Sequence, residues 1–304
     1  MNARAQPLAR VLAPRRRIAR PEADPQKRAQ REERIGEILL RLGRLDSDGL
    51  GRIVEHQKQT RQPFAKAAAH LGLLSRDDIQ TAVGVEHGIV APEAGEGRLP
   101  PGLVVARRPG SREAEAFRAL AIRLLTCREA EKLNLFSIAS AASPRDADHV
   151  AINLAASFAQ MKRRTLILDA DLRSERARKL FGLSPAAGLA DFLRGEADLR
   201  KCVRPTIVAG LSVVGSGRID TASHELLASH ALGPVFDWTR AAYDVVMVLT
   251  ARYGEVADAQ FVWRRTKSAF VIARKNEDRL QALRSLHGGL RQADADVFGA
   301  ALAR

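Results

Sequence analysis

Between Arg34 and about Gly88, apolar residues recur at helical spacing, and Gly-marked turns at Leu42-Gly43 and Leu71-Gly72 cut the stretch into short helices. Two segments of 24 residues, RIGEILLRLGRLDSDGLGRIVEHQ (34–57) and PFAKAAAHLGLLSRDDIQTAVGVE (63–86), carry Leu-Gly-x-Leu at the same offset. Each continues into a helix start and an apolar helix face, with KQTRQ (58–62) as the spacer, so a duplicated helical unit is predicted. Beyond residue 112 the pattern changes to alternation. Helices are predicted at 113–129, 147–161, 174–180, 187–194, 223–241, 255–264 and 277–292. Strands are predicted at 133–139, 164–169, 211–214, 244–249 and 267–272. Continuous apolar runs such as Thr165-Leu166-Ile167-Leu168 and Val245-Val246-Met247-Val248-Leu249 suit strands covered on both faces. Alternation of this kind predicts an α/β fold, a doubly wound and mostly parallel sheet, here preceded by a small helical domain.

Residues 89–112 hold four prolines and four glycines and read as a linker, with one short strand predicted at Leu103 to Ala106. Residues 1–33 carry nine basic and four acidic residues with prolines at 7, 14, 21 and 25, the composition of a tail that cannot bury enough surface to order itself. The domains are therefore placed at 1–33 (basic disordered tail), 34–90 (helical domain), 91–112 (linker) and 113–304 (α/β domain). The tail is either merely solvated or touches anionic lipid or nucleic acid.

Over 304 residues, 49 basic against 35 acidic residues leave a net charge of +14, which favours anionic partners without choosing among them. Cys127 and Cys202 form no CxxC pair, which argues against a disulfide framework or a zinc cluster. No apolar run approaches the roughly 18 residues of a membrane span, and the first residues lack a signal-peptide core, so a cytoplasmic protein is expected, with any membrane contact peripheral at the inner membrane. His224-Glu225 with His230 has the wrong spacing for a helical zinc pair, and no nucleophile-elbow or Cys/His dyad spacing occurs.

In a doubly wound sheet the ligand crevice lies beyond the carboxyl ends of the strands. The segments EAEAFRALAIRLL, SIASAASPRDADHVAINLAASFAQMKRRTLILDADLR, FGLSPAAGLADFLRGE, LSVVGSG and HELLAS resemble the bacterial tyrosine-kinase domain of exopolysaccharide co-polymerases, a branch of the MinD/ParA-like P-loop ATPases, across about residues 113–304. The register rests on Asn153-Leu154-Ala155, Asp169-Ala170-Asp171-Leu172-Arg173, Gly188-Leu189 and Glu225-Leu226-Leu227. In that register the family's phosphate loop falls on Ser143-Pro144-Arg145-Asp146-Ala147-Asp148-His149. Pro144 and Asp146 replace the glycines, Ala147 the phosphate-binding lysine, and Asp148 the metal-binding hydroxyl. Two aspartates thus stand where phosphate would sit, each repulsion worth on the order of 4 kcal/mol at about 4 Å.

Asp169 and Asp171 match the family's strand-end carboxylates, with Arg173 or Arg145 as expected ion-pair partners, whereas the second metal-site aspartate falls on Leu249 and the base-contacting asparagine on Ala303. The family's C-terminal tyrosine cluster is absent, Tyr243 and Tyr253 being the only tyrosines. Of the family's oligomerisation motif, Glu115 and Arg118 match and Ala121 does not, so a homo-oligomer stays open. The resemblance with these departures implies a pseudokinase or pseudo-ATPase, with no catalytic residues, no metal and no ATP bound.

The 24-residue repeat resembles the N-terminal domain of MshE-type secretion and pilus ATPases, a cyclic di-GMP-binding module. The first copy matches at Arg34, Ile35, Gly36, Gly43, Leu45, Leu50, Val54 and Gln57. A bis-guanine, bis-phosphate ligand needs a planar cation, a glycine that lets backbone come close, and an amide for a guanine edge. Arg34, Gly36 and Gln57 supply these groups, and Ile35, Leu39, Leu45, Leu50 and Val54 would form an apolar bed. In the second copy the matching positions hold Pro63, Phe64, Ala65 and Glu86, which leaves half of a composite site without its polar contacts. A docking domain without ligand is the alternative.

The expected function is that of a non-catalytic, cyclic di-GMP-responsive regulator of bacterial exopolysaccharide biosynthesis and export, docking on a membrane polysaccharide co-polymerase or related export ATPase. An atypical ATPase or tyrosine autokinase using Asp169 and Asp171 is the first alternative. A ParA-like DNA-associated protein is the second, although nucleic acid is not the expected partner.

Overall fold

The computed structural model describes residues 25–88, 99–141, 144–251 and 258–303. The tail before residue 25, linker residues 89–98, Ser143, and Arg252 with Tyr253 lie outside the described residues.

The small domain comprises α1 (Pro25–Arg41), α2 (Ser47–Thr60), α3 (Phe64–His70) and α4 (Arg76–Glu86). The duplication is visible in how these helices end and begin. Gly43 and Gly72, equivalent in the two copies, both sit at positive φ, a conformation that costs glycine nothing. Asp46 then caps α2 by accepting from the Gly49 amide at 2.7 Å, while Ser75 and Asp78 close a capping box on α4. The first helix starts at Pro25, inside the stretch expected to be tail. Proline suits the first helical position, and Gln-Lys-Arg-Ala-Gln-Arg-Glu-Glu are largely strong helix formers. Ile35, Leu39, Leu45, Ile53, Phe64, Ala67, Leu74 and Ala82 make this domain's own core.

The large domain follows as α5 (Val104–Arg107), α6 (Arg112–Thr126), β1 (Phe136–Ser140), α7 (Pro144–Gln160), β2 (Thr165–Asp169), α8 (Arg176–Phe181), α9 (Leu189–Leu193) and α10 (Leu199–Cys202). It continues with β3 (Val203–Pro205), β4 (Leu211–Val214), α11 (Leu232–Ala242), β5 (Val245–Leu249), α12 (Ala259–Thr266), β6 (Ser268–Arg274), α13 (Leu280–Gln292) and β7 (Asp296–Ala303). The seven strands run in the order β3-β4-β2-β5-β1-β6-β7, all neighbours parallel except β3 against β4. Alternate residues of the central strands feed two cores. Ile138, Ile167 and Met247 pack under α5, α6 and α7, whereas Leu166, Val246 and Val248 pack under α9, α11 and α12, with α13 beside them on a further cluster around Trp263.

Two predicted elements differ. Leu103 to Ala106, expected as a strand, leads into a single helical turn laid on α7, because its four apolar side chains are all buried, Leu103, Val105 and Ala106 of them in the main core rather than in the sheet. The helix expected over 223–241 is a 3₁₀ turn (Ser223–Ala228) and then α11, separated at Ser229 by extended backbone. Strands β3 and β7 were not expected.

Candidate functional site

The carboxyl ends of β1, β2 and β5 meet the start of α7 at the point where the strand order reverses, the place where a doubly wound sheet has its ligand crevice. Side chains of this same chain occupy it. Arg176, on the first turn of α8, is buried and reaches inward: its guanidinium donates to Asp148 Oδ1 at 2.5 and 3.0 Å and to the Thr250 carbonyl at 2.8 Å, and it lies 3.9 Å from Asp171 Oδ2. Glu175, just before it, adopts a left-handed conformation (φ 46°) and helps turn the chain so that this inward aim is possible. Asp169, fully enclosed at the end of β2, accepts from the amides of Ala177 at 2.8 Å and Asp171 at 3.2 Å. Burial pushes its carboxyl up to about 7, against the pull of the Ala177 amide and Arg176 toward the ionised form. Burial likewise raises Asp148, with Arg176 opposing.

The residues expected here are therefore together, in an arrangement that the sequence did not reveal. Asp146 and Asp148 are not the unopposed negative pair expected, since Arg274 stands 3.5 Å from Asp146 and Arg176 holds Asp148. Asp171 has Arg176 beside it, not Arg173 or Arg145: Arg173 bonds Asp258 at 2.7 Å, and Arg145 is exposed. Ala147 is buried on α7 and Leu249 belongs to the main core, so neither position brings a polar group to the crevice. Among the described residues no three His, Cys, Asp or Glu side chains gather as a metal-ligand set. At Ala147 and Leu249 the described residues thus offer neither the cation nor the second carboxylate that a magnesium nucleotide would use.

Three further residues had no role assigned from sequence. Asn153, wholly buried on α7, donates to the carbonyls of Gly102 and His149, both at 2.8 Å, and accepts from the Val105 amide at 3.2 Å. It ties the segment around α5 to the helix that opens the crevice. His149 lies 3.0 Å from Glu113 at the start of α6. Arg107, at the end of α5, donates to the carbonyls of Leu99 and Pro100 and to Asp77 and Gln80 of α4, which joins the small domain to the same segment. A signal for Asn153 existed, in its place in the Asn-Leu-Ala register; for Arg107 and Arg176 there was none.

In the small domain, Arg34 is exposed on α1, with no ion pair among the described residues. Gln57 is half-buried and its amide donates to Glu32 at 2.8 Å and to the Gln62 carbonyl at 3.2 Å. Ile35, Leu39 and Leu45, expected as a ligand bed, are core residues of the domain. Gly36 serves helix packing: a Cβ there would come within 2.9 Å of Leu50.

No family model matches the chain. The tyrosine-protein kinase Wzc of Salmonella typhi is 28% identical over 172 residues, 57% of this chain and 24% of that protein. The tyrosine-protein kinase Etk of Escherichia coli K12 is 29% identical over 194 residues, 64% of this chain and 27% of the relative. The solved kinase domain of Etk superposes with a TM-score of 0.63 at 28% identity, covering 68% of this chain and 82% of that domain. The large domain is homologous to bacterial tyrosine-kinase domains. The chimerical protein CapA2B2 shares the fold of this kinase-like domain, with a TM-score of 0.63 at 24% identity over 74% of this chain and 98% of that one. The chain spans about a quarter of the length of the curated relatives it matches. These relatives are named as tyrosine-protein kinases, which corrects the expectation of a protein that is not an enzyme. Among the described residues, no helix is long and apolar enough to cross a membrane.

Proposed function

We propose that the chain is a cyclic di-GMP-responsive regulatory protein of bacterial exopolysaccharide biosynthesis and export, working through its kinase-like domain on a membrane co-polymerase or a related export ATPase. The observation that carries this is the physical continuity from the duplicated helical domain to the kinase-like crevice. Arg107 grips α4, and Asn153 fixes the neighbouring turn to α7. A ligand that reorients α1 against α2 would be felt along that path. Arg34 is the exposed cation poised for it, and the Gln57 amide would exchange its Glu32 partner for a guanine edge.

The test is titration of the full chain with cyclic di-GMP, with GMP as control. Wild type should bind, and Arg34→Ala should weaken binding roughly ten- to a hundredfold through loss of a charge-assisted contact. Absence of binding at about 100 μM ligand, near −5.5 kcal/mol, leaves a docking domain and defeats the proposal.

A second reading, an atypical ATPase or tyrosine autokinase, is favoured by the names of the relatives and by the strand-end carboxylates Asp169 and Asp171. Transfer of labelled phosphate from ATP to tyrosine, lost in Asp171→Asn while the fold persists, would establish it.

A further inference from the structure

Among the described helices of eight or more residues, only α12 and α13 contain no acidic residue, and the two are neighbours. In a chain with 35 acidic residues that gap falls on two adjacent helices. Along α13, Leu280, Arg284, His287 and Arg291 follow helical spacing, fall within about 60° of arc, and are all exposed. Leu280 stands 62% exposed at the start of this stripe, while Leu286 and Leu290, outside the stripe, are buried. Next to it, α12 exposes Phe261 and Arg264.

Among the described residues, the acids that flank these helices are already engaged. Asp258 bonds Arg173, Glu277 pairs with Arg274, Asp278 accepts from the Arg274 amide, and Asp294 pairs with Lys267. Arg284 and Arg291 have no ion pair among the described residues. Two uncompensated guanidinium groups, a histidine and a protruding leucine thus share the outer face of a single helix. A peptide partner would call for a groove to receive it. An exposed basic stripe with an apolar side chain at its end matches instead the anionic headgroup layer of a bilayer, where arginines meet phosphate and the leucine reaches the acyl boundary.

We propose that the outer face of α13, flanked by Phe261 and Arg264 of α12, is a docking surface for an anionic membrane. It is independent of the basic tail and of any cyclic di-GMP response, and it would hold the crevice at the inner face of the membrane. The test is co-sedimentation of the full chain with phosphatidylcholine vesicles, with and without phosphatidylglycerol. Wild type should sediment with the anionic vesicles only. The double variant Arg284→Glu/Arg291→Glu, at exposed positions and with an unchanged circular-dichroism melt, should lose about tenfold or more in partitioning. Leu280→Ser should weaken the part of the binding that survives high salt. A wild-type chain that stays in solution, or a double variant that sediments like wild type, overturns the proposal. So does binding of soluble polyglutamate through the same two arginines with vesicles ignored.

Discussion

At the scale of single residues, Asp169 carries the largest consequence. Its carboxyl is enclosed in protein and held up to about 7, whereas in an unfolded chain it would titrate near 3.9. Between these values the folded protein keeps a proton that the unfolded chain has released, so stability falls as pH rises from about 4 to about 7 and is level above. The slope is at most about 1.4 kcal/mol per pH unit, and Asp148, also raised by burial, adds in the same direction. Urea unfolding at constant ionic strength should therefore give a lower midpoint at pH 8 than at pH 5, and Asp169→Asn should shrink that difference. An identical pH dependence in the variant would show that Asp169 does not control it. Asp169 was legible in the sequence because it ends an apolar strand run. Arg176 was not: it lies on a six-residue helix, and only the left-handed residue before it and the fold around it aim it at Asp148.

At the scale of elements, the turn at α5 joins the two domains, and Asn153 is what secures it. Asn153→Ala strands the buried Val105 amide, at about 1–3 kcal/mol, and takes from the Gly102 carbonyl one of its two donors, the Val104 amide remaining. The expected outcome is a melting temperature several degrees lower, with faster proteolysis confined to residues 99–110. Unchanged proteolysis there would mean that packing of Leu103 and Val105 alone holds the segment. Strands β1, β2, β4, β5 and β6 could be read from their sequences because continuous apolar runs need cover on both faces. The edge strand β7 could not, since Val-Phe-Gly-Ala-Ala-Leu-Ala is built largely of small residues, half of it is exposed, and only pairing with β6 makes it a strand. Leu103 to Ala106 has strand composition and forms a helical turn because tertiary packing on α7 outweighs local preference.

At the scale of the whole molecule, the small domain has its own core and meets the large one through a narrow contact, Val85 on the main core and the Arg107 cluster. The two should unfold together in wild type and separate in Arg107→Ala, where a low-temperature loss of helical ellipticity would precede the main transition. A single transition in the variant would place the coupling in Val85 and the α5 turn. The helical duplication was legible because glycine, cap and apolar face recur together. How it meets the kinase-like domain was hidden, since Arg107 closes onto partners from Asp77 to Pro100 that no short-range pattern connects.

The strand order also constrains how the chain is made. β1 sits between β5 and β6, so the strand that opens the crevice finds no hydrogen-bonded neighbour until the chain has passed Val245. During synthesis the helical domain, built from contacts close in sequence, can fold as soon as it leaves the ribosome, while β1 waits with its five apolar and small residues uncovered. The helical domain would then be folded well before the sheet behind it closes.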